Sequence, residues 1–76
     1  MPDPKLKWNK RLELLRVAAD LTQAQAAERI GVPLGTYGRW ERGDHRPMFI
    51  HQEIIAHAFD VDIEDIFKDE EEEVTR

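Results

Sequence analysis

Residues 21–43 read LTQAQAAERIGVPLGTYGRWERG, and their punctuation is that of two short helices joined by a tight turn. Thr22 carries a hydroxyl that can accept from a free backbone N–H at a helix start. Ala26, Ala27 and Ile30 then fall on the inward side of a helix predicted over 23–30. Gly31 is a natural left-handed stop. Pro33 suits the first turn of the next helix, where its missing N–H costs least. That helix is predicted over 34–42, with Gly43 as its stop. A helix, a glycine turn and a second helix make a helix-turn-helix. One oddity stands inside it. Gly35 and Gly38 sit within the second helix, although an interior glycine costs about 1 kcal/mol relative to alanine.

Working outward, Trp8, Leu12, Leu15 and Ala19 recur at spacings of four, three and four. They mark one face of a helix predicted over 9–19. On the other side, Asp44–Pro47 reads as a turn. Phe49, Ile55, Ala56 and Phe59 mark the inner side of a helix predicted over 48–59. Asp62 can cap a last helix over 63–68 that folds Ile63, Ile66 and Phe67 onto the core. No strand alternation or internal repeat stands out. The expected fold is all-α, a compact domain of five short helices. Residues 1–8 are expected to form an N-terminal arm, 9–67 the domain, and 68–76 a disordered acidic tail with four consecutive glutamates.

The chain has 76 residues, enough for one domain. It has no cysteine, so neither a disulfide nor a thiolate metal site is possible. No stretch approaches the roughly 20 apolar residues of a membrane span, and the first residues lack the apolar core of a signal peptide. A soluble cytoplasmic protein is expected. The net charge of −5 conceals a segregation. Residues 1–47 hold nine Lys/Arg against six Asp/Glu, a balance of +3, and residues 48–76 hold two against ten, a balance of −8. One half can face a polyanion while the other repels it, or the charges are simply a solvated surface.

Several pieces in order resemble the lambdoid phage repressor and Cro family of helix-turn-helix domains (XRE-like). They are Thr22-Gln23, Ala27, Gly31-Val32, Tyr37, Arg39 through Gly43, Arg46-Pro47 and the segment from Phe59 to Phe67. The resemblance spans residues 9–67 and implies a five-helix fold with the third helix in the major groove of double-stranded DNA. It places base reading on Leu34, Gly35 and Arg39, with Gly38 on the same exposed side. It places phosphate contacts on Gln23 and Thr36, with Arg42 and Arg46 flanking the turn to grip the backbone. It also implies an ion pair between Arg16 and Glu41 that ties the first helix to the end of the third. The physical warrant is independent. A helix fits the major groove, and a helix N-terminus offers N–H groups and a positive dipole end to phosphates.

The chain departs from the family at several positions. Leu34, Gly35 and Gly38 cannot hydrogen-bond a base edge through their side chains; Leu34 can contact a thymine methyl, and Arg39 is left as the one good candidate for hydrogen-bonded readout, with guanine its natural partner. The glycines have other readings: close approach of backbone to DNA, relief of crowding at Gly38, drift at Gly35, or a surface that no longer binds DNA. In the fourth helix Gln52 and Glu53 stand where apolar residues are usual, and Ile50 and Ile54 where polar ones are. Ile50 and Ile54 share a face, and with Ala58 they form either an exposed patch for a homodimer through helices 4 and 5 or the buried side of a rotated helix. His45, His51 and His57 do not have metal-ligand spacing, so no metal is expected. No hydroxyl has a base beside it, and no glycine-rich phosphate loop is present, so neither an enzyme nor a cofactor is expected. The leading expectation is a DNA-binding transcriptional regulator of repressor type. The competing one is a protein-interaction module on the same scaffold, an adaptor, antitoxin or antirepressor partner. A third reading is the N-terminal part of a longer regulator.

Overall fold

The structure, a computed structural model, describes residues 6–68. All but the first residue of the expected tail (residues 69–76 of 68–76) and the first five residues of the expected arm lie outside that range. Five helices follow one another: α1 Trp8–Ala18, α2 Gln23–Ile30, α3 Leu34–Arg42, α4 Phe49–Ala58 and α5 Ile63–Phe67. Among the described residues there is no strand, and no helix is long and apolar enough to cross a membrane.

The helix ends follow a common rule. After each of α1 to α4 comes a residue in the left-handed region: Asp20, Gly31, Gly43 and Asp60. The next residue then donates its backbone N–H to a carbonyl five positions back. These bonds run from Leu21 to Arg16 at 3.2 Å, Val32 to Ala27 at 3.0 Å, Asp44 to Arg39 at 3.0 Å and Val61 to Ala56 at 3.0 Å. This is the Schellman ending, in which a hydrophobic residue just past the stop turns back to the core. Leu21, Val32 and Val61 all pack against it. The helix starts are less uniform. Thr22 and Gln25 cap α2 reciprocally: the Gln25 N–H donates to the Thr22 hydroxyl (3.1 Å) and the Thr22 N–H to the Gln25 side chain (2.9 Å). At α5 the Asp65 carboxylate accepts from the Asp62 N–H at 3.0 Å.

Trp8, Leu12, Ala26, Ala27, Ile30, Tyr37, Trp40, Ile55, Ile66 and Phe67 form the core. The Trp8 ring tilts against Phe67 at 5.8 Å, and Tyr37 meets Trp40 edge-on at 6.0 Å. Three expectations need correction here. Trp8 is not part of an arm but opens α1 and is buried, whereas Ala19, expected inward, is exposed past its end. Phe49, expected inward, is 62% exposed. Gln52 takes its place inside because its amide donates to the Pro47 carbonyl at 2.9 Å, which satisfies the buried polar group. Ile50 and Ile54 are exposed, so the helix is not rotated to bury them, while Ala58 is only half-exposed and packs against the core.

Candidate nucleic-acid interface

The site begins with the anchoring of α3. Tyr37 and Trp40 are fully sunk in the core, which fixes the rotation of the helix and decides what faces out. Leu34, Gly35, Arg39 and Arg42 are exposed, and Thr36 is half-buried in the first turn.

Glu41 fixes the helix from its other end. Its side chain is 4% exposed and receives the Arg16 guanidinium in a two-toothed pair, Nε to Oε2 at 2.7 Å and Nη2 to Oε1 at 3.2 Å. Arg16 also donates to the Leu21 carbonyl at 2.8 Å, so it grips α3 and the entry to α2 at once. The Gln23 amide donates to Glu41 Oε1 at 2.8 Å. The Tyr37 hydroxyl faces the same carboxylate without closing a hydrogen bond of ordinary geometry. Burial alone would raise the Glu41 pKa, but Arg16, Tyr37 and Gln23 together outweigh it and hold the carboxyl below its usual range. Burial first, and then the neighbouring Glu41 carboxylate as hydrogen-bond acceptor and as charge, pushes the Tyr37 phenol far up. Finally, the Asn9 amide donates to the Glu41 backbone carbonyl at 3.0 Å, fastening α1 to the end of α3. The helix-turn-helix is therefore locked by one buried carboxylate shared among α1, α2 and α3.

A family model described as helix-turn-helix matches residues 12–66 of this chain. The chain belongs to the XRE-type helix-turn-helix family. Curated relatives within reach are the HTH-type transcriptional activator BcrR of Enterococcus faecalis and the cryptic phage CTXphi transcriptional repressor RstR of Vibrio cholerae serotype O1. The first is 32% identical over 66 residues, which cover 87% of this chain and 32% of that protein. The second is 34% identical over 61 residues, covering 80% of this chain and 54% of that protein. The match thus spans about a third of one relative and about half of the other. Among solved structures, the restriction-modification controller protein C.AhdI from Aeromonas hydrophila superposes with a TM-score of 0.74 at 28% identity. That alignment covers 79% of this chain and 91% of the controller.

Within this XRE-type frame, the expected residues divide. The Arg16–Glu41 pair is formed as the resemblance implied. Gln23 opens α2 at the interface, but an amide hydrogen expected to be available to phosphate is committed to Glu41. Arg42 is exposed and pairs with Asp44 at 3.0 Å, also in the open. Two expectations fail on geometry. Gly38 is not on the exposed side: it is buried, and a Cβ there would lie 3.4 Å from Arg42 Nη1 and 4.0 Å from Gln23 Oε1. Those two side chains cover it at ordinary contact distance. Arg46 does not flank the interface as a backbone grip. Its guanidinium donates to the Phe67 carbonyl at 3.2 Å and sits 5.9 Å from the Trp8 ring and 5.2 Å from that of Phe67.

Sequence reasoning also passed over Arg11 and Asn9. Buried Arg11 donates to the Ile66 carbonyl at 3.2 Å, so two arginines hold the carbonyl end of α5, where the helix dipole favours cations. The signal for such roles is weak, because an arginine that caps a distant helix looks in sequence like any surface cation. Among the described residues no group of His, Asp or Glu is arranged to hold a metal, and His51 instead lays its ring against Trp40 at 5.5 Å.

Proposed function

We propose that this chain is the DNA-binding domain of a transcriptional regulator of repressor type, a cytoplasmic non-enzymatic protein acting on double-stranded DNA. The carrying observation is the rigid presentation of α3. Its inner side is fixed by Tyr37, Trp40 and Glu41, and its exposed face offers Leu34, Gly35 and Arg39 together on a helix, the element that fits a major groove. Arg39 reads a base, with guanine O6 and N7 its natural partners. Thr36, Gln23 and Arg42 take phosphates, Arg42 by exchanging Asp44 for the DNA backbone. The named roles of the relatives as transcriptional regulators support this reading. A weak homodimer through helices 4 and 5, using Ile50, Ile54 and Ala58, would present two such faces to paired half-sites about one DNA turn apart.

Selection of bound sequences from a random DNA pool tests the proposal and yields the half-site. Arg39→Ala should then relax preference at one base position. A uniform loss on every sequence would make Arg39 a phosphate contact instead.

One observation favours a second reading, a protein-interaction module on the same scaffold. Met48, Phe49, Ile50 and Ile54 are all exposed around the first turns of α4, an apolar surface of the kind that marks contact sites. A gel shift on random DNA at low salt separates the two. Absence of any shift at micromolar protein selects the interaction module.

A further inference from the structure

The tip of α3 is unusual for a surface that must discriminate bases. Leu34, its first residue, is 52% exposed, and Gly35 beside it has nothing within 4 Å of where a Cβ would stand. Gly35 has no positive φ that would call for glycine. It relieves no crowding either, since the space beside it is open. Alanine would fit there and favour the helix. Neither residue has a side-chain donor or acceptor, so neither side chain can read a base by hydrogen bonds. What the tip offers is an isobutyl group next to bare backbone, an apolar notch open to solvent.

In the major groove one feature of a base edge is apolar, the 5-methyl group of a pyrimidine, carried by thymine and absent from cytosine and from uracil. We infer that Leu34 and Gly35 form a methyl seat, in which Leu34 packs on the 5-methyl group of a pyrimidine and the missing side chain of Gly35 lets the helix come close enough for that contact. This inference rests on the DNA-binding reading above and adds the ligand chemistry of its apolar positions. In unmodified DNA the methyl belongs to thymine. The same seat accepts 5-methylcytosine, so binding becomes sensitive to cytosine methylation wherever a cytosine replaces that thymine.

The experiment uses the sequence selected by the wild-type chain. Each thymine of the half-site is replaced in turn by deoxyuridine, which removes the methyl and keeps the pairing. One position should lose about fourfold in affinity, the worth of one buried methyl group. The loss should vanish in Leu34→Ala, whose fold is preserved because the side chain is largely exposed. At that position 5-methylcytosine should bind about fourfold tighter than cytosine. Gly35→Ala should raise Tm by about 2–8 °C while weakening the selected site and leaving random DNA unaffected. The inference is overturned if no thymine is sensitive, if Leu34→Ala keeps the sensitivity, if methylation of cytosine has no effect there, or if Gly35→Ala binds as wild type. A wild-type chain that selects no sequence would overturn the functional reading itself, and the methyl seat with it.

Discussion

Replacing Glu41 by glutamine keeps the shape of the side chain and removes the charge that Arg16 grips with two nitrogens. Because that leaves a guanidinium partly buried without its counterion, the loss should be about 3 kcal/mol in chemical denaturation. A cycle with Arg16→Ala should show a coupling of about 1 kcal/mol or more, and a value near zero would remove the pair from the account of stability. The pH dependence has a definite sign. The folded Glu41 pKa lies below its ordinary value of 4.5, so the native state holds the charged form more firmly than the unfolded chain does. Its contribution is complete above about pH 4.5 and is lost as pH falls through the depressed folded value. Tm measured from pH 7 down to pH 3 should therefore fall more steeply in wild type than in Glu41→Gln. Arg42 and Arg46, so alike in sequence, should part in the laboratory. Arg46→Ala removes a cation between two rings and a carbonyl and should cost about 1–3 kcal/mol of stability. Arg42→Ala, exposed and paired only with Asp44, should leave stability within about 0.5 kcal/mol and weaken DNA binding on all sequences alike.

At the scale of elements, the ends of α2 and α3 were legible because glycine announces a left-handed stop. The ends of α1 and α4 use the same geometry with Asp20 and Asp60, and aspartate is too common on surfaces to announce anything. The physical distinction is a small strain, since a Cβ is unfavourable in that conformation and only partly tolerated for aspartate. Asp20→Gly and Asp60→Gly should each stabilise the chain by about 0.5–1 kcal/mol, read as a shift in denaturation midpoint at constant slope. No gain at either site would mean that the aspartate side chains supply compensating interactions. The inner face of α4 was legible at Ile55, Ala56 and Phe59 and misread at Phe49 alone, for a different reason. Its sequence FIHQEIIAHA is apolar on several sides, so periodicity does not choose a face. A polar bond from Gln52 to the Pro47 carbonyl makes burying that amide acceptable, while Phe49 stays outside. The interface itself was legible where packing defines it, at Tyr37, Trp40 and the Arg16–Glu41 pair. It was not legible at Gly38, whose covering by Arg42 and Gln23 depends on rotamers that no spacing encodes.

The whole molecule changes the meaning of the charge segregation. Of the cations in the first half, Arg11, Arg16 and Arg46 are spent on the Ile66, Leu21 and Phe67 carbonyls and on Glu41. The balance of +3 therefore overstates what one domain offers to a polyanion. On the proposed DNA-binding reading, α3 offers a polyanion two exposed arginines, Arg39 and Arg42, so tight binding is expected to call for two copies on one duplex. The apolar residues at the start of α4 provide a surface on which that can happen. Burying Ile50 and Ile54 against a symmetry mate is worth about 1.5–3 kcal/mol for each side chain fully covered, and an isologous contact uses each residue twice. After the cost of association, the free dimer should be weak, with dissociation in the micromolar range or above. Sedimentation at high concentration should reveal it in wild type and not in Ile54→Lys. That variant should also bind a paired site as steeply less cooperative single copies, while its affinity for one half-site and its Tm stay near wild type. A wild-type chain that is strictly monomeric both free and on a paired site would remove the dimer, and would leave the apolar strip on α4 to a partner of another kind.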